Sequence, residues 1–92
     1  MRIVSFMGYD IDIVPAPHSL VFEYIDAPGR IGIIGTILGD AGVNISTMQI
    51  GTKPAEKTAL VYLNVDTAVD EAVLDRCREA IEHLKNLWQI NL

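Results

Sequence analysis

Residues 24–44 read YIDAPGRIGIIGTILGDAGVN, which contains a strand end, a helix and the start of a second strand. Pro28 suits the first turn of a helix, because the early N–H groups of a helix have no intrahelical partner. The helix is predicted over residues 30–41, and Gly42 is a typical stop. Its apolar face is carried by Ile31, Ile34, Leu38 and Ala41.

The segments on either side of this stretch predict further strands. Residues 19–25 are rich in β-branched and aromatic side chains, which predicts a strand. Residues 43–50 contain several β-branched residues and are also predicted to be extended. Residues 59–65 alternate between a wholly apolar face and a mixed face, which is typical of a half-buried strand. A polar loop is predicted over residues 51–58 and a last short strand over residues 87–92.

A second helix is predicted after Asp70, whose side chain is typical of a helix N-cap. Val69 and Leu74 occupy the two positions of a hydrophobic staple, which fixes the entry of the chain into a helix. The periodic apolar face of this amphipathic helix is formed by Val73, Cys77, Ala80 or Ile81, and Leu84.

The first 17 residues predict a β-hairpin around Gly8, which Pro15 and Pro17 end because proline cannot donate to a strand ladder. This hairpin is interpreted as an appendage, either the tail of a preceding domain or an added edge. Residues 18–92 follow the order strand, helix, strand, strand, helix, strand, which predicts a ferredoxin-like α+β sandwich. Both helices should cover one face of a four-stranded antiparallel sheet, and the other face should lack a cover.

Composition excludes several classes of function. The chain has 92 residues and a net charge of -5, which predicts one small domain that does not bind nucleic acid. Cys77 is the single cysteine, so an internal disulfide and a structural zinc site are excluded and a reducing cytoplasm is favoured. The sequence contains neither a signal peptide nor a membrane-spanning apolar run. We therefore expect a cytoplasmic location and no membrane partner.

Enzymatic activity is not predicted for these residues. Nucleophilic catalysis needs a nucleophile beside a base, and His18 and His83 are predicted to lie near no such group, at a strand edge and late on the second helix. An RNA-binding module of this topology would carry stacking aromatics on its middle strands, where Tyr62 stands alone. No catalytic residue and no metal ligand are therefore assigned.

The junction between the first strand and the first helix predicts a site for a small amino acid. A helix N-terminus suits a carboxylate, and Asp26 has the charge to meet an ammonium group. Asn44 can donate and accept, while Tyr24 projects to the same side as Asp26. Each residue also has a simpler explanation: Asp26 as a helix cap, Asn44 as a turn residue and Tyr24 as a core aromatic.

Three glycines lie along one stripe of the first helix, at Gly32, Gly35 and Gly39. Each costs about 1 kcal/mol relative to alanine in a helix interior, so the stripe requires a reason. Glycine permits close approach by a neighbouring chain or a ligand, and Gly32 is for that reason included in the predicted site. Close packing of the helix on its own sheet is the alternative.

These residues resemble the ACT domain, the amino-acid-sensing module of metabolic enzymes. The motifs that carry the resemblance are DAPGRIG at residues 26–32, GTILG at 35–39, GVNI at 42–45 and MQ at 48–49. They are most similar to the C-terminal regulatory domains of D-3-phosphoglycerate dehydrogenases. The resemblance implies an ACT domain over residues 18–92, preceded by the tail of another domain over residues 1–17.

The resemblance also implies a ligand and a partner. L-Serine would be bound between two chains by Tyr24 and Asp26 of one chain and the partner's Asn44, in a homodimer whose sheets lie side by side. No cofactor is implied for this chain, although the parent enzyme would use NAD. A regulatory tail of an iron–sulfur L-serine dehydratase and a dimerisation module without an effector are the alternatives.

Overall fold

A computed structural model describes residues 2–6, 8–13, 16–26 and 28–91 of the chain. The helices are α1 (Arg30–Asp40) and α2 (Glu71–Ala80). The strands are β1 (Arg2–Phe6), β2 (Tyr9–Ile13), β3 (His18–Ile25), β4 (Ile45–Lys53), β5 (Thr58–Val65) and β6 (Leu84–Asn91). β3 to β6 form one antiparallel sheet in the order β4-β5-β3-β6, which confirms the predicted ferredoxin-like α+β sandwich.

The end of α1 explains why the next strand starts later than predicted. Gly42 adopts a φ of +77°, and its N–H donates to the carbonyl of Gly39 at 3.0 Å. The N–H of Val43 donates to the carbonyl of Leu38 at 2.9 Å. This Schellman arrangement uses Val43 to close the helix, so β4 begins at Ile45 rather than at residue 43.

Other predicted boundaries also need correction. β4 continues to Lys53, so the predicted loop over residues 51–58 is reduced to residues 54–57. At α1, Pro28 lies in the turn before the helix rather than in it, and Ala41 is the exposed C-cap while Ile37 is buried.

α2 is shorter than its apolar periodicity suggested. It ends at Ala80, which is exposed, whereas Ile81 is buried and Leu84 already belongs to β6. Val69 and Leu74 are both buried in the core, as expected for a staple. Asp70 is the N-cap residue, but its side chain makes no capping hydrogen bond. The helix is therefore held by packing of its apolar face rather than by its cap.

The sheet face opposite the helices is covered by the hairpin, so the prediction of an uncovered face is wrong. Tyr9 and Ile11 of β2 are buried against Val21, Leu60 and Tyr62 of the sheet, with Trp88 and Ile90 packed beside them. As a result β5 is buried along its whole length, not on one face only. A strand that is buried on both faces can still alternate between apolar and mixed residues along its sequence, because the polar residues on its hairpin face are hydrogen-bonded and so can be buried.

Candidate functional site

Tyr24, Asp26 and Arg30 come together where β3 ends and α1 begins. Tyr24 is buried in the helix-side core, and burial raises the pKa of its hydroxyl, with a further increase from the Asp26 carboxylate and an opposing decrease from the Arg30 guanidinium. Asp26 is exposed, and its backbone N–H donates to the carbonyl of Lys57 at 2.8 Å. Its carboxylate is therefore presented to solvent beside a buried hydroxyl.

No side chain of the described residues caps the N-terminus of α1. The N-cap residue is Gly29, with a φ of +88°, and it makes no side-chain capping bond, so Asp26 does not cap this helix. The Nε atom of Arg30, the first helical residue, is buried without a hydrogen-bond partner among the described residues. Unpaired donors at a helix N-terminus favour an anionic group, which for an amino acid is its carboxylate.

Asn44 lies at the other end of the sheet. Ile25 pairs with Thr58 at the start of β5, whereas Ile45 pairs with Val65 at its end, so Asp26 and Asn44 are separated by the length of β5. At about 3.4 Å per residue this is about 25 Å. One chain therefore brings Tyr24 and Asp26 together but does not bring Asn44 to them.

Asn44 is bonded across the sheet end to Asp66 rather than within a turn. The backbone N–H of Asn44 donates to Oδ1 of Asp66 at 3.0 Å, and its side-chain Nδ2 donates to Oδ2 at 3.3 Å. In return the N–H of Asp66 donates to the carbonyl of Asn44 at 3.1 Å. Sequence reasoning missed Asp66, because its importance depends on the register between β4 and β5.

The glycine stripe of α1 faces open space. A Cβ atom built on Gly32, Gly35 or Gly39 would meet no atom of the described residues within 4 Å outside the helix's own backbone. The stripe is therefore not explained by packing of α1 on its own sheet. Gly32 also lines an open groove of about 400 Å³, together with Gly29, Ile33, Thr36, Ile37 and Ala80.

The remaining polar candidates have local roles. Cys77 is fully buried, and burial raises the pKa of its thiol although Arg76 and Arg78 oppose that shift. His18 lies 2.9 Å from the side chain of Asn91. His83 is found in the turn after α2, with a φ of +61°, and not within the helix as predicted. The carbonyl of His83 accepts from the N–H of Ile25, the residue before Asp26, at 3.2 Å, so this turn supports the strand end through its backbone.

Comparison with known proteins identifies the family to which this domain belongs. The family model described as the ACT domain matches residues 18–82, and the chain belongs to that family. A solved homoserine dehydrogenase from Thiobacillus denitrificans shares the fold, with a TM-score of 0.51 and 19% identity over 82% of this chain and 17% of that chain.

The curated relatives are more specific. The chain is 36% identical over 90 residues to D-3-phosphoglycerate dehydrogenase of Methanocaldococcus jannaschii, a match that covers 98% of this chain and 17% of the relative. It is 37% identical over 73 residues to the enzyme of the same name from Bacillus subtilis, covering 79% and 14%. The resemblance to these dehydrogenases is confirmed, and the chain corresponds to about a sixth of their length. Among the described residues, no helix is long and apolar enough to cross a membrane.

Proposed function

We propose that this chain is an L-serine-binding regulatory domain of a cytoplasmic, NAD-dependent D-3-phosphoglycerate dehydrogenase, and that it binds its effector between two copies. The catalytic chemistry and the NAD site belong to other parts of the parent enzyme. The relatives support this choice of parent, since they carry that name and match the chain at 36% and 37% identity. Residues 1–17 are then the tail of the domain before it, and Tyr9 and Ile11 of this segment pack against the ACT domain over residues 18–92.

The observation that carries the proposal is the separation of the site into two halves. Tyr24 and Asp26 lie at the end of β3, and Asn44 lies at the opposite end of the sheet. α1 runs between these two ends, because it starts four residues after Asp26 and ends four residues before Asn44. A second copy whose α1 runs antiparallel would bring the partner's Asn44 to Asp26. A two-fold axis would complete two identical sites at once.

The open surfaces favour this pairing. β4 is an edge strand of the four-stranded sheet, and Ile50 on it is 47% exposed. Pairing of two β4 edges would join the sheets side by side and protect edges that would otherwise be open to unwanted association. The glycine stripe on the outer face of α1 would allow the two helices to approach closely.

The half of the site at the start of α1 has two chemical tasks in the proposed complex. The Asp26 carboxylate meets the ammonium group of the amino acid, and the N–H groups at the start of α1, near Gly32, meet its carboxylate. The Tyr24 hydroxyl, whose pKa is raised by burial, donates or accepts beside Asp26. A ligand that bridges two chains stabilises the paired form, and in an intact enzyme this shifts the catalytic domains by typically about 1–3 kcal/mol.

Calorimetric titration with L-serine tests the site. Asp26→Ala should weaken binding by about 30-fold or more, because the proposed pairing of two chains buries the charge pair and truncating one partner of such a pair costs about 2–5 kcal/mol. Glu79→Ala, which removes an exposed carboxylate from α2, is the matched control and should leave the affinity unchanged. Equal affinity of Asp26→Ala and the unaltered chain would contradict the assignment of Asp26.

Complementation between chains tests the two-copy arrangement. Asp26→Ala and Asn44→Ala should each weaken both sites of a homodimer, so that neither variant alone has a high-affinity site. After mixing and exchange, the heterodimer regains one intact site, so the equimolar mixture should recover about a quarter of the unaltered binding capacity. A site within one chain cannot recover in this way. A stable dimer for which an amino-acid panel raises no melting temperature would instead identify a dimerisation module without an effector.

A further inference from the structure

Asp66 determines which way the side-chain amide of Asn44 points. The Asp66 carboxylate accepts from the backbone N–H of Asn44 at 3.0 Å and from its Nδ2 at 3.3 Å. A third bond, from the N–H of Asp66 to the carbonyl of Asn44 at 3.1 Å, holds the two backbones in register. The two residues are thus joined at both backbone and side chain.

An ionised carboxylate can only accept hydrogen bonds, so it selects one of the two orientations of a neighbouring amide. The NH₂ group of Asn44 must face Asp66, because the alternative would place a carbonyl oxygen against a carboxylate oxygen. The Oδ1 atom of Asn44 is then directed away from Asp66. An asparagine that could have donated or accepted is in this way presented as an acceptor.

We infer that Asp66 is a positioning residue that commits Asn44 to accept a hydrogen bond from the ammonium group of a bound amino acid; this rests on the two-copy site proposed above. The carboxylate of Asp26 and the partner's Asn44 then converge on the ammonium group. The ligand carboxylate is left to the N-terminus of α1, which has no side-chain cap among the described residues and where the Nε atom of Arg30 lacks a partner in that part of the chain. The site therefore selects zwitterions that carry a free ammonium group over acids that lack it.

The test measures L-serine affinity by calorimetry for a set of variants of the full chain. Asp66→Asn lets the Asn44 amide turn in either direction, and we expect the affinity to fall about tenfold, as for one misdirected hydrogen bond to a charged group. Asp70→Asn is the control, since it removes the same charge from an exposed residue nearby whose side chain makes no capping bond. It should change the affinity less than about twofold.

An exchange of the two residues separates positioning from a structural role. In the double variant Asn44→Asp with Asp66→Asn, the amide of residue 66 donates and residue 44 again presents an oxygen, so L-serine affinity should return to within about threefold of the unaltered chain. Urea denaturation of each variant shows whether the fold is retained. If Asp66 only stabilised the fold, the L-serine affinity of each variant would follow its free energy of unfolding. The exchanged pair would then bind L-serine no more tightly than Asp66→Asn.

The outcomes distinguish this inference from the function on which it rests. If the unaltered chain binds no L-serine, the proposed function fails. If the unaltered chain binds L-serine and Asp66→Asn binds it equally well, only the role of Asp66 is overturned. Loss of affinity in Asp66→Asn without recovery in the exchanged pair also overturns it.

Discussion

The two faces of the central sheet are closed by different kinds of interaction. Among the described residues, the helix face is a cluster of fifteen buried hydrophobic residues, which includes Phe22. The hairpin face has a cluster of five described residues. Buried polar residues occur on the hairpin face, at Ser19, Glu23, Thr58 and Asn64. Apolar contact has no preferred direction, whereas hydrogen bonds require particular geometry. We therefore expect the helix face to supply most of the stability and the hairpin face to fix the position of the hairpin on the sheet.

One group of hydrogen bonds on the hairpin face is centred on Glu23. Its carboxylate accepts from the hydroxyl of Tyr9 at 2.9 Å and from Nδ2 of Asn86 at 2.7 Å. The Tyr9 hydroxyl also lies 2.7 Å from Oγ1 of Thr58, and Lys53 lies 4.4 Å above the Tyr9 ring. Glu23 and Tyr24 are neighbours on opposite faces of β3. The strand end that carries the candidate site is therefore also the point where the hairpin is anchored.

The largest effect is expected from the helix face. Phe22→Ala should lower the free energy of unfolding by about 3–5 kcal/mol, because it removes a fully buried ring and leaves a cavity. Urea denaturation measures this loss, and Ile50→Ala, at a residue that is 47% exposed, should cost less than about 0.5 kcal/mol. A loss below about 1 kcal/mol for Phe22→Ala would mean that the helix face is not the main source of stability.

A smaller loss of stability, with a local change in hydrogen exchange, is expected from substitutions on the hairpin face. Tyr9→Phe removes a donor from the buried Glu23 carboxylate and should cost about 1.5–3 kcal/mol. Tyr62→Phe removes only a neutral bond to Ser19 at 3.2 Å and should cost about 0.5–1.5 kcal/mol. Hydrogen exchange should show faster exchange at β2 amides in Tyr9→Phe but not in Tyr62→Phe. Equal losses and unchanged exchange would show that the charge of Glu23 does not anchor the hairpin.

The two faces also differ in how well the sequence predicted them. β3, α1 and the fold class followed from local patterns, such as the apolar period of α1 and its stop at Gly42. The cover on the second face was missed because the Tyr9 hydroxyl meets Thr58, a residue 49 positions away, and no local pattern records such a contact. The mixed face of β5 did contain a clue, since Leu60 and Tyr62 are large residues for a solvent-facing surface.

The candidate site shows the same division between local and distant information. The proximity of Tyr24 and Asp26 followed from their spacing along a strand, and the structure places both beside the start of α1. Asp66 could not be predicted, because its contact with Asn44 depends on the pairing of β4 with β5. The meeting of Asp26 with the partner's Asn44 stays a prediction that complementation can test.

The outer face of α1 differs from both sheet faces because nothing in the described chain covers its glycines. Gly35→Ala should stabilise the dilute single chain by about 0.5–1 kcal/mol, since alanine is the better helix former and its Cβ meets nothing within 4 Å. The same change should weaken self-association in sedimentation experiments. Gly42→Ala is the contrast, because a φ of +77° strains alanine and should destabilise the chain. If Gly35→Ala stabilised the chain and left self-association unaltered, close approach of two α1 helices would not be the reason for the glycine stripe.

The smallest effect is a pH dependence that involves one tyrosine from each sheet face. Burial raises the pKa of both Tyr9 and Tyr24 above 10.0, so the folded chain keeps protons that the unfolded chain loses. Their contribution to stability is complete below about pH 10 and is lost as the pH rises through the raised values. We expect the free energy of unfolding to fall above about pH 10, by at most about 1.4 kcal/mol per pH unit for each tyrosine. Denaturation of Tyr9→Phe over the same pH range should give a shallower decline in the free energy of unfolding, because Tyr24 is then the one tyrosine of this pair that remains. An unchanged slope would mean that Tyr9 titrates alike in the folded and unfolded chains and is not shielded by the hairpin face.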